Sequence, residues 1–151
     1  MNEANIQSSY RDVIEKNGFY IASPVGISMM PLIRQGIDTV KLVKPQGRVK
    51  KYDVILYDRP NGAHILHRVV KVRKNSYDLC GDNQVNIEHG VTDDMIVGVV
   101  EGIYRGEEYT PVTDLEYIKY SKKIVRSRLR RKFKYYFNRL LIKLKIKKAK
   151  D

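Results

Sequence analysis

The sequence predicts a mainly β protein, a coiled antiparallel sheet or partly open barrel, with a short helix before it and a basic amphipathic helix after it. Two observations predict this class. Between Phe19 and Tyr104, six short apolar or alternating segments are separated by gaps of hairpin length rich in Gly, Pro and Asn. After Pro111 the apolar spacing changes from strand-like to helical.

The elements follow in order. Residues Glu3 to Lys16 read as a helix with Ile6, Tyr10, Val13 and Ile14 on one face, stopped at Asn17-Gly18, where glycine accepts the left-handed conformation. Phe19 to Ala22 is a strand that runs into a loop at Ser23-Pro24. Thr39 to Val43 alternates and ends at Pro45-Gln46-Gly47. Asp53 to Tyr57 is apolar and stops at the turn Arg59-Pro60-Asn61-Gly62. Ala63 to Val72 is long and β-branched, and Tyr77 to Cys80 follows a turn at Lys74-Asn75-Ser76. Met95 to Tyr104 gives the last strand, with a bend expected at Gly98 or Gly102. The expected division is therefore an N-terminal helix over 1–18, a β-domain over 19–110 and a helical tail over 111–151.

In the tail, Val125, Leu129, Phe133, Tyr136, Leu140 and Leu144 recur at helical spacing, with Phe137 and Leu141 widening the stripe and Lys or Arg elsewhere. The net charge of +12 belongs to this segment: Lys119 to Asp151 holds 15 bases and one acid, whereas the other 118 residues hold 14 bases and 16 acids. The body is near neutral, so nucleic-acid binding is a question for the tail alone. A helix lying on an anionic membrane is the first reading of the tail, packing of the stripe on the body the second, and nucleic-acid binding the third.

No run of about 18 apolar residues is present, so no spanning helix is expected. The N-terminal stretch has acids where a secretory signal needs bases, and a single cysteine, Cys80, excludes an internal disulfide framework. The expected location is the cytosol, peripheral to the inner face of a membrane if the tail docks there. Cys80 reads as a small buried hydrophobe rather than a nucleophile.

Three segments carry residues suited to chemistry: Gly26-Ile27-Ser28-Met29-Met30-Pro31, His67-Arg68-Val69 and Gly81-Asp82-Asn83. Ser28 sits at a loop after a strand, but a hydroxyl needs a base to become a nucleophile. His67 is that candidate base, since imidazole titrates near neutrality. Asp82 is a candidate to orient the imidazole or to stabilise its cation. Met29 and Met30 are candidates for the wall of a substrate groove, against the plainer role of core filling. Among rival bases, His64 lies three residues before His67 and on a strand points to the other face. Lys71 shares the face of His67 but would need strong desolvation to be neutral. His89 lies in a polar segment. No zinc-ligand spacing is present, and no cofactor or metal is implied.

Taken in order, Ser28-Met29-Met30-Pro31, Gly36-Ile37-Asp38-Thr39-Val40, His67-Arg68-Val69 and Gly81-Asp82-Asn83 resemble the motif series of the signal peptidase superfamily, to which the self-cleaving SOS and phage repressors also belong. The likeness runs from about Val25 to Ile103 and is to the branch whose base is a histidine in His-Arg-Val, not to the usual bacterial branch with lysine. It implies a signal peptidase and LexA-like coiled β fold and a serine-type peptidase in which Ser28 is nucleophile, His67 general base and Asp82 a required acid. A second acid, six residues further on, corresponds to Glu88, where the family has aspartate. The implied partner is a peptide or protein substrate held in extended form. True signal peptidases carry a membrane anchor and act outside the cytoplasm, so the chain looks closer to short soluble bacterial relatives. The alternative is a peptide-binding or regulatory module of the same fold without turnover.

Overall fold

The computed structural model describes residues 3–148, with side chains described from Tyr10 to Lys145. Helix α1 spans Glu3–Asn17 and is followed by eight strands: β1 Phe19–Ala22, β2 Asp38–Val43, β3 Val54–Asp58, β4 His64–Val72, β5 Tyr77–Cys80, β6 Glu88–Val91, β7 Ile96–Arg105 and β8 Glu108–Pro111. Helix α2 spans Leu115–Lys148. All pairings are antiparallel, in the order β1-β2-β7-β3-β4-β5-β6, with β8 paired to β7, so the sheet stays open.

The six expected strands occur within a residue or so of their expected ends, and β6 and β8 are additional. The bend expected in the last strand is present as two bulges. Lys41 faces Gly102 while Leu42 faces Val100, and Leu56 faces Gly98 while Tyr57 faces Ile96, leaving Glu101 and Val97 as the extra residues. A bulge increases the local twist, and two in the central strand coil the sheet into two cores. One core lies around Ile14, Met29, Ile33, Val40, Leu42, Val97 and Ile103, the other around Ile55, Tyr57, Val69, Tyr77, Leu79 and Val91. Helix α1 closes the first: Ile14 packs so tightly on Gly98 that a Cβ there would sit 3.2 Å from its Cδ1. Ile6, expected on the same face, lies outside the described side chains.

The tail is not a separate appendage. Asp114 accepts from the backbone N–H groups of Glu116 and Tyr117 and caps α2. The first turns bury Tyr117 in the first core and Ser121 beside β4. The expected boundary at 111 therefore cuts through β8 and the core rather than through a linker. Beyond Arg131 the described part of α2 is exposed.

Two features of the sheet place the site. First, β3 pairs with β4 along its whole length, from Asp58–His64 to Val54–Arg68, whereas β5 joins β4 only from Arg68 onward. Among the described residues, His64 to His67 therefore form a strand edge with no partner on that side. Second, the long connection from β1 to β2 folds back over this edge, and it carries Ser28.

Candidate active site

The serine loop is fixed by backbone bonds within itself and by the turn after β5. Met30 N donates to Ile27 O at 3.2 Å and Ile33 N to Met29 O at 3.0 Å, so Ile27 to Ile33 is a run of tight turns. Asn83 reaches this run twice, its backbone N–H donating to Ser28 O at 2.8 Å and its side-chain amide to Ile27 O at 3.2 Å. Gly81 is in such close contact that a Cβ there would lie 2.6 Å from Ser28 O and 3.1 Å from Ser28 Cβ. The Gly81-Asp82-Asn83 turn is thus the floor on which Ser28 rests, and only glycine fits at its first position.

Asp82 has its own partner. Both carboxylate oxygens accept from Arg68, from Nε and Nη2, each at 2.7 Å, in a bidentate pair that is almost wholly buried. The remaining Arg68 nitrogen donates to Tyr52 O and to Ser121 Oγ, both at 2.8 Å, and the rings of Tyr117 and Tyr120 lie over the guanidinium at 5.7 and 5.8 Å. Arg131 of α2 adds bonds to Asp82 O at 2.7 Å and Gln84 O at 3.2 Å. Asp82 was expected to orient His67 or to stabilise its cation. Both its oxygens pair with Arg68 and neither bonds the imidazole among the described residues, so it acts on His67 through its charge.

His67 is 5% exposed, and its Nδ1 lies 3.5 Å from Tyr57 Oη. Tyr57 donates its own proton to Glu88 at 2.6 Å, and Arg59 holds Glu88 through Nε at 2.8 Å and through Nη2. The Arg59 guanidinium keeps the Glu88 carboxyl below its ordinary range, and burial raises the Tyr57 hydroxyl. Glu88 is therefore an anion, Tyr57 a neutral donor to it, and the phenol oxygen is free to accept from His67 Nδ1–H. That tautomer leaves the Nε2 lone pair available as a base. Burial pushes His67 down from 6.5 to about 4, against the opposing charges of Glu88 and Asp82. The imidazole is neutral at pH 7.

Ser28 and His67 line one cavity of about 190 Å³, together with Pro24, Gly26, Arg59 and Gln84. No hydrogen bond joins Ser28 Oγ to His67 among the described residues. Met29 is buried in the first core but borders the same cavity; Met30, expected beside it, does not. His64 also borders it, which strand alternation did not anticipate, but its Nδ1 is engaged by Asp58 at 2.7 Å. Lys71 lies past a bulge in β4 and is exposed, and His89 pairs with Asp78. Cys80 is 2% exposed with its thiol pushed up by burial, so it is no thiolate at neutral pH. Arg59 and Tyr57 were not foreseen; nothing local in the sequence marks either as more than a turn and a core residue.

Comparison with models of protein families, with curated proteins and with solved structures finds no match.

Two outcomes follow. Asp82→Ala strands the Arg68 cation in the interior and should lower unfolding free energy in urea by about 3 kcal/mol or more; a loss below about 1 kcal/mol would contradict the buried pairing. The pH dependence of stability carries a second signature. The folded pKa of His67 lies below its unfolded value, so the contribution is complete above pH 6.5 and is lost as pH falls toward 4. Between about pH 7 and 4.5 the native chain should lose on the order of 2 kcal/mol more than His67→Gln; parallel curves would show that the ring is not desolvated.

Proposed function

We propose that this chain is a serine-type endopeptidase that cleaves an extended peptide, with Ser28 as nucleophile and His67 as general base. One observation carries the reading: a serine and a neutral, buried histidine wall the same cavity beside an unpaired strand edge. Such an edge takes up an extended peptide through main-chain hydrogen bonds, with alternate side chains entering pockets. His64 to His67 supply the edge, Pro24 to Gly26 the opposite wall, and the 87% exposed Val25 an apolar contact for substrate.

The mechanism balances as acyl transfer. Ser28 Oγ attacks the carbonyl carbon as His67 Nε2 takes its proton, and the oxyanion forms next to the Ser28 N–H, which has no acceptor among the described residues. A donor so placed contributes about 3 kcal/mol to the transition state. The imidazolium is then supported by Glu88 through Tyr57 and by the nearby charge of Asp82. His67 returns its proton to the leaving amine as the C–N bond breaks. Water, activated by the same nitrogen, then releases the acyl group from Ser28. The two acids have different tasks, Asp82 fixing the floor under Ser28 and Glu88 the orientation of His67.

A second reading, a peptide-binding module without turnover, is favoured by one feature: Ser28 and His67 are not hydrogen-bonded to each other. Incubation with a peptide library separates the two. Ser28→Ala should abolish cleavage with an unchanged circular dichroism spectrum, and kcat/KM of the native chain should stay high down to about pH 5, because His67 protonates only near 4. Unchanged cleavage by Ser28→Ala, or library peptides that are retained but never cut, would overturn the peptidase reading.

A further inference from the structure

We propose that the distal half of α2 is a docking element for an anionic lipid surface. The observation is an exposed apolar stripe on a helix already anchored elsewhere. Leu129, Phe133, Leu140 and Leu144 are 68%, 73%, 53% and 51% exposed with the body present, so the body does not cover them. At 100° per residue these four fall on one arc of the helix, with Phe137 at its margin. The contacts that hold α2 to the body come from Tyr117, Ser121, Arg128 and Arg131, on a different arc, and from Tyr136 at the edge of the stripe, which donates to Asn86 Oδ1 at 3.2 Å. Apart from that one bond at its edge, the stripe is left open to solvent by the way its own helix is seated.

Charge selects the occupant. From Lys119 to Lys145 the helix carries no acid, and Lys132 and Lys143 flank the stripe on one side, Arg130 and Lys134 on the other. An apolar arc bordered on both sides by bases matches acyl chains beneath acidic headgroups. Nucleic acid would engage the bases and leave the leucines and phenylalanines in water. No described helix is long and apolar enough to cross a bilayer, so the element lies in the interface rather than through it. The same helix bonds the backbone of Asp82, Gln84 and Val85 through Arg131 and Arg128, and Gln84 lines the cavity. Docking therefore sets the cavity at a fixed attitude to the surface, whatever reaction occurs there.

The test uses the full chain with vesicles of phosphatidylcholine, vesicles containing about 30% phosphatidylglycerol, and a short DNA duplex, at about 100 mM salt. The expected result is binding to the anionic vesicles at least about ten-fold tighter than to the neutral ones and tighter than to DNA, with Phe133→Ser/Leu140→Ser weakening it about ten-fold or more. Both substituted residues are exposed, so an unchanged thermal transition is expected of that variant. Equal affinity for the two vesicle types, undiminished binding by the variant, or tighter binding to DNA would overturn the proposal. None of these readouts depends on peptidase activity.

Discussion

The buried Arg68–Asp82 pair is the interaction on which the candidate site rests. A buried ion pair seldom adds net stability over an apolar substitute, because desolvating two charges costs as much as their attraction returns. What this one supplies is position. Arg68 follows His67 on β4, and Asp82 stands between Gly81, which touches Ser28, and Asn83, which bonds its carbonyl. A bidentate guanidinium–carboxylate contact has one geometry, so it transmits the position of the histidine strand to the serine loop. Ser121, Tyr117, Tyr120 and Arg131 then tie α2 to the same pair.

The division of labour between acids follows from that choice. Asp82 spends both oxygens on Arg68 and makes no hydrogen bond to the imidazole among the described residues. The free side of His67 turns instead to Tyr57, whose phenol is polarised by a glutamate that is itself held by Arg59. Burial keeps the ring neutral, and two anions at a distance temper its resistance to protonation. Neutral at rest yet able to hold a proton transiently is what a general base requires.

Much of this was legible in the sequence. The central strands declared themselves through β-branched runs between turn residues, and helix α1 through periodicity. Two strands gave no such signal: Glu88–Val91 is Glu-His-Gly-Val, without alternation, and Glu108–Pro111 ends in a proline. They form because β5 and β7 offer them edges, which is tertiary information. At the site, Ser28 and His67 were marked by their motifs. The partner of Asp82 was not, because an arginine on a strand reads as surface until the packing around it is known. Nor does the tail's periodicity tell which turns are buried: Tyr117 and Tyr120 look like the tyrosines at 135 and 136, yet only the first two face Arg68.

The most direct test of the clamp is the imidazole titration of His67, followed by NMR in the native chain and in Asp82→Asn. Removing the Asp82 charge alone would lower the histidine pKa further, whereas loosening the turn under Ser28, which walls the cavity with His67, would admit water and raise it. The account predicts titration near 4 in the native chain and a shift in Asp82→Asn toward the ordinary 6.5. A value near 6.5 in the native chain, or an unchanged or lower value in the variant, would contradict it.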